Sequence, residues 1–252
     1  MKMLTDLRLL TWRPIVQNLR NPTWLFVGIS TPLMYLILFM PLLKKLSGPG
    51  FSSGNVAQIF LPGIIALLAF GNGAFSGFGT VWLLKSGFIE RLRVTPASRF
   101  ALLMGPILAG VVWTLLFSAL ILGLSVPFGF HIHLLGLLVY AVLLVLMDVL
   151  FAAWSTSMAI MTGEINTFAA VVNGINLPLI LLAGVMLPLS LAPAWMRFIA
   201  HANPLYYVVT AGRELASGHI ATRDVGLAFV VITLLTALVL WWSIRVYRKA
   251  VA

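Results

Sequence analysis

The chain contains no cysteine, only six acidic residues, and just 9% charged side chains in 252 residues. Without cysteine there is no disulfide framework, no thiolate catalysis and no cysteine-ligated metal or iron–sulfur centre. So little charge excludes an ordinary soluble domain, in which about a quarter of the residues carry charge to face water. Phosphate-cradling Gly-x-x-x-x-Gly-Lys-Ser/Thr is missing too. The glycine-rich stretches Gly48-Pro49-Gly50 and Gly71-Asn72-Gly73 lack the lysine and the strand–helix setting that such a loop needs. Neither a His-Glu-x-x-His pair nor a nucleophile elbow is present. His131 and His133 lie two apart with no third ligand nearby, so they read as an interfacial turn and no metal is expected. The chain is not expected to be an enzyme.

Apolar residues dominate instead, at 61%, with a mean hydropathy of +1.07. The solvent for most of this surface is lipid. Sixteen Lys and Arg against six acids leave a formal charge of +10. In a polar protein that excess would suggest nucleic acid. Here the basic residues fall between long apolar runs, where they act as topology signals, and no nucleic-acid partner is expected. No cleavable leader is expected, because Lys2, Asp6, Arg8, Arg13 and Arg20 interrupt the first twenty residues.

A helix needs about 20 residues to cross the hydrocarbon core. Six spans are expected, at about 23–43, 57–83, 101–125, 135–160, 167–188 and 225–244. The chain thus reads as one all-α polytopic membrane domain over 1–252, with both termini on one side. Placing the termini in the cytoplasm puts eleven of the sixteen basic residues inside and five outside (Lys44, Lys45, Arg197, Arg213 and Arg223). Ahead of the first span, residues 2–20 show Leu4, Leu7, Leu10, Ile15, Val16 and Leu19 near helical spacing, with a kink expected at Pro14 and an end at Asn21-Pro22. An interfacial helix and a plain positive anchor both fit this pattern.

Between the second and third spans lies Leu84 to Arg99, a short basic segment that obeys the positive-inside rule. Its wording is Glu90-Arg91-Leu92-Arg93-Val94-Thr95-Pro96-Ala97-Ser98-Arg99. This resembles the segment after span two in permeases of ABC exporters typified by the daunorubicin-resistance and nodulation-factor exporters. Two further stretches agree. Leu61-Pro62-Gly63-Ile64-Ile65-Ala66 opens the second span, and Leu187-Pro188, Ala192-Pro193-Ala194-Trp195-Met196 and Ala202-Asn203-Pro204-Leu205-Tyr206-Tyr207 follow the fifth. One departure is Leu182-Ala183-Gly184-Val185-Met186-Leu187-Pro188, where the family often has Ser and Phe in place of Ala183 and Leu187.

The resemblance implies a permease that pairs with a second copy or a close paralogue and docks two copies of a separate ATP-binding subunit. ATP and magnesium belong to that subunit; no cofactor is expected in this chain. Residues 84–99 would form the coupling segment, with Glu90, Arg91, Leu92, Arg93 and Thr95 seated on the ATPase, and residues 1–22 an interfacial connecting helix. Glu164, in the turn between spans four and five, is a second candidate contact; a solvated carboxylate explains it equally well. Residues 189–224, with Trp195, Phe198, Tyr206 and Tyr207, would form re-entrant helices capping the pathway outside, a simple aromatic belt being the plainer reading. Small permeases of this kind resemble those of bacterial or archaeal cytoplasmic membranes.

Polar residues inside the spans are the candidates for a pathway. Asn72, Ser76 and Thr80 share one helical face of the second span, beside the small pair Gly73 and Gly77; helix packing and cavity lining both fit. Asn173 and Asn176, three apart near Pro178, should face the protein interior, because an amide in hydrocarbon needs a partner. Asp148, in the middle of the fourth span, is the most unusual residue. It is either bonded to an Asn or Ser, protonated, or turned to a wet cavity that attracts cations. The function expected is ATP-driven export of amphipathic small molecules such as drugs, antibiotics or lipids. Export of glycolipid or polysaccharide, and a proton-coupled carrier using Asp148, are the alternatives.

Overall fold

The computed structural model describes residues 2–39, 55–86, 99–185, 189 and 192–251. Among them are ten α-helices and no strand. In chain order these are α1 (Lys2–Leu19), α2 (Pro22–Met34), α3 (Asn55–Phe75), α4 (Gly77–Lys85), α5 (Arg99–Ser125), α6 (Leu134–Thr162), α7 (Ile165–Leu182), α8 (Ala194–Ala200), α9 (Pro204–Ala216) and α10 (Arg223–Val251). A π-helical turn, Tyr35–Phe39, continues α2 after Pro32, whose ring removes one ladder hydrogen bond, and a 3-10 turn at Val126–Phe128 closes α5.

Five helical stretches are long and apolar enough to cross a membrane: Ala57–Lys85, Ala101–Phe128, Leu134–Thr162, Ile165–Leu182 and Arg223–Lys249. A shorter apolar stretch, Phe26–Leu38, lies where the first span is expected; that span's remainder, residues 40–43, falls outside the described residues. The all-α polytopic architecture is therefore as the sequence predicts, with two departures. The helix of the fifth span, α7, stops at Leu182 instead of running to 188, with Gly184 in the left-handed region at φ 68°. The second span is broken at Ser76. There Ser155 Oγ donates to the Ala74 carbonyl at 2.6 Å and accepts from the Gly77 amide at 3.0 Å, taking up the groups the break leaves over.

α6 is the hub. It packs on α3, α4, α5, α9 and α10, and buries Tyr140, Leu143, Met147 and Ala153 among them. It ends at Gly163, left-handed at φ 63°, whose amide bonds the Ala159 carbonyl. Small residues set the close approaches. A Cβ at Gly73 would lie 2.8 Å from the Asp148 carbonyl oxygen and 2.9 Å from Phe151 Cβ, and Gly77 lies against Ser155 and Phe168. At the other end of the hub, Gly136 lies against the Leu215 carbonyl and Gly212 against the Tyr140 ring, drawing α9 onto α6.

The two short helices α8 and α9 occupy the expected position between the fifth and sixth spans. Their anchor is the Asn203-Pro204 step. Asn203 Oδ1 accepts from the Leu205 amide at 3.0 Å, Asn203 Nδ2 donates to the Leu179 carbonyl at 2.7 Å, and Pro204 takes the first helical position. Arg213, counted in the sequence among the outer charges, reaches inward from α9. Its Nε donates to the Ile59 carbonyl at 2.9 Å and its Nη2 to the Gly184 carbonyl at 2.6 Å. α1 forms the expected N-terminal helix and runs unbroken through Pro14, ending before Asn21. It lies along α5, where Leu10 fills the space over Gly105.

Candidate functional site

The polar residues of three spans converge inside the bundle. Asn72 leaves α3 with its amide nitrogen 2.9 Å from the Gly110 carbonyl, 2.9 Å from Thr114 Oγ1 and 3.1 Å from Asp148 Oδ2. Thr114 in turn donates its hydroxyl to the same Asp148 oxygen at 2.7 Å. α3, α5 and α6 are thereby joined by a three-residue network. An amide nitrogen has two hydrogens, so three acceptors around it share them, and the short Thr114 bond is the stronger support of the carboxylate. Asp148 itself is 1% exposed, and its Oδ1 has no hydrogen-bond partner among the described residues.

This network forms part of the wall of a chamber of about 740 Å³, open on one side and lined by α1, α2, α3, α4, α5, α6 and α7. Apolar side chains such as Ile64, Leu68, Phe75 and Phe117 make up most of its lining. Asn72, Ser76, Asp148 and Asn176 all contribute to it, together with Trp113 from α5. Asn176 Oδ1 and Trp113 Nε1 are also buried without a partner among the described residues. The arrangement suits an amphipathic guest, since it is concave and mainly apolar with a few polar groups at fixed points.

The remaining predicted residues lie elsewhere. Ser76 Oγ donates to the Gly73 carbonyl at 2.8 Å, which stabilises the break, while Thr80 is half-buried and outside the chamber wall. Asn173, expected inward with Asn176, sits on the exposed side of α7. Three residues of an α-helix advance by about 300°, which leaves the pair about 60° apart, enough to turn one in and the other out. Glu164 is exposed at the start of α7, where its Oε2 accepts from Thr167 at 3.2 Å. Glu90, Arg91, Leu92, Arg93 and Thr95 fall outside the described residues; α4 leads toward them and ends at Lys85.

Thr114, Trp113 and Gly110 are the site residues that sequence reasoning misses. The signal available was thin: Thr114 is one hydroxyl in an apolar helix, and such a residue more often bonds its own preceding turn.

Comparison with known proteins gives this membrane bundle its class. The family model of the ABC-2 type transporter matches residues 5–216, so the chain belongs to that family. It is 26% identical over 247 residues to the daunorubicin resistance ABC transporter permease protein DrrB1 of Streptomyces coeruleorubidus, covering 94% of this chain and 84% of that protein. It is 27% identical to the inner membrane transport permease YadH of Escherichia coli K12, covering 86% and 84%. The ycf38 protein of Cyanophora paradoxa is 30% identical over 222 residues, covering 84% of this chain and 74% of its own length. A transport permease of the membrane is what these relatives and the bundle jointly define.

Proposed function

We propose that the chain is the membrane subunit of an ATP-driven exporter of amphipathic small molecules, working as one of two permease copies above two ATP-binding subunits. The observation that carries the reading is the family match over residues 5–216, which spans both the chamber and the Glu90–Arg99 segment. In this reading both termini are cytoplasmic, in a prokaryotic cytoplasmic membrane. Glu90, Arg91, Leu92, Arg93 and Thr95 seat on the ATPase, and Glu164 lies in the next turn on the same side. Charged contacts of this kind select the right subunit more than they add affinity. Closure of the ATPase dimer on ATP would push α1 and the coupling segment and open the pathway outward. The bare face of α7, with Asn173 upon it, is where the second permease would stand, so that the transport path runs between the two copies.

Co-purification with ATP-binding subunits from the same genome tests this. A subunit of the right kind is retained and hydrolyses ATP; Glu90→Ala and Arg93→Ala reduce retention about tenfold, the equivalent of about 1.4 kcal/mol. Failure of every such subunit to bind would overturn the reading and leave a gradient-driven carrier centred on Asp148.

A further inference from the structure

The chamber has a charge of one sign. Among its lining residues Asp148 is the one carboxyl, and no Lys, Arg or His is present. The polar groups around it are neutral, from Asn18 and Thr31 to Asn72, Trp113 and Asn176. One oxygen of the carboxylate is held by Thr114 and Asn72; the other is buried and takes no hydrogen bond from the described residues. A carboxylate in a low-dielectric wall is costly unless a cation or donors neutralise it. Among the described residues no basic side chain lines the chamber, so none of them supplies a neutralising cation. The aromatic rings of Phe75, Trp113 and Phe117 surround the same space, and aromatic faces attract cations.

We infer that this chamber, inside a single permease copy, is a binding site for an amphipathic monocation: a protonated amine on an apolar body, its ammonium paired with the Asp148 carboxylate at the chamber wall. The body lies against the apolar wall, and Asn176 Oδ1 and Trp113 Nε1 offer one acceptor and one donor for polar groups farther along it. Asn72 and Thr114 act as positioning residues, because they fix one carboxylate oxygen and so direct the other. This names a substrate class for the exporter proposed above and rests on that reading for its transport meaning. Binding itself requires neither ATP nor the ATPase.

The test uses the full chain in lipid nanodiscs without nucleotide or partner. Two fluorescent probes share one body: N-dansyl-1,8-octanediamine, a monocation, and its N′-acetyl derivative, which is neutral. Empty nanodiscs measure partition into lipid. The amine should bind at least tenfold more tightly than the acetylated probe, and Asp148→Asn should erase that difference. A second variant does not depend on the carboxylate. Gly71 lines the chamber and has nothing within 4 Å of an added Cβ, so Gly71→Leu folds and fills the space. It should weaken both probes at least tenfold. Equal binding of the two probes to the wild-type chain, or amine binding indifferent to Gly71→Leu, would overturn the inference. Either result leaves co-purification and ATP hydrolysis untouched, so the failure is separable from that of the exporter reading.

Discussion

α6 and α7 follow each other in the chain and are both apolar enough to span a membrane, yet they treat their polar residues in opposite ways. Half of α6's most apolar window is buried within the chain, against 11% of α7's. α6 carries a carboxylate at its centre and answers one of its two oxygens internally with Thr114 and Asn72. α7 carries two amides in its middle, Asn173 and Asn176. Asn176 turns to the chamber with its oxygen unpartnered among the described residues, and Asn173 faces out of the bundle. Both are apolar enough to span, and it is burial that tells their polar residues apart. A polar group on a buried helix is answered by its own chain, whereas one on a bare helix requires something beyond it.

The largest way to break this contrast is to thicken a glycine on each side. At Gly73 of α3 an added side chain meets α6 backbone that cannot yield, at 2.8 Å from the Asp148 carbonyl oxygen. Gly73→Val should cost about 3 kcal/mol or more, at the upper end of what overpacking costs, and lose most folded protein. At Gly174 of α7 nothing lies within 4 Å, so Gly174→Val should leave the yield of folded chain unchanged. Fluorescence-detected size exclusion after a heating series reads both. Equal losses would mean that α7 is packed as tightly as α6.

A smaller effect belongs to the network itself. Thr114→Val keeps the shape and removes the 2.7 Å donor to Asp148. With the carboxylate left to Asn72 alone, the folded chain should lose about 1–3 kcal/mol, read as a lower thermal midpoint. The same change in an Asp148→Asn background should cost measurably less, because the two residues act on one bond. Additive losses would show that Thr114 acts by packing alone.

How much of this was legible depends on what kind of regularity each feature leaves in the sequence. Apolar length gave the spans, because lipid imposes it, and Gly73 and Gly77 marked a close approach by their spacing. The identity of the approaching helix was not legible, since the hydroxyl run Ser155-Thr156-Ser157 of α6 carries nothing that ties it to Gly73 and Gly77. Asp148 stood out as costly, and a bond to an asparagine was among the solutions open to it; that the asparagine is Asn72 depends on how α3 and α6 cross. The break at Ser76 left no trace, because the apolar pattern runs through it and only Ser155, 79 residues later, takes up the freed groups. Asn173 and Asn176 looked alike because three residues nearly complete a turn, and only burial shows which side of that 60° difference faces inward.

The smallest expected effect decides the most about α7. If its outer face meets lipid, Asn173 has no answer to its amide, and Asn173→Ala should stabilise the chain slightly by removing a polar group from hydrocarbon. If a second copy covers the face, the amide finds a partner there, and the same change should leave the single chain's thermal midpoint unmoved while weakening association. Hydrogen bonds between helices in membranes contribute only about 0.6 kcal/mol on average, so the dimer constant should fall about threefold. Energy transfer between donor- and acceptor-labelled chains diluted in vesicles is sensitive enough to see that change. A fall in association with an unchanged midpoint would show that α7's polar group is answered after all, by a neighbour outside the chain, and the contrast with α6 would reduce to where the partner resides.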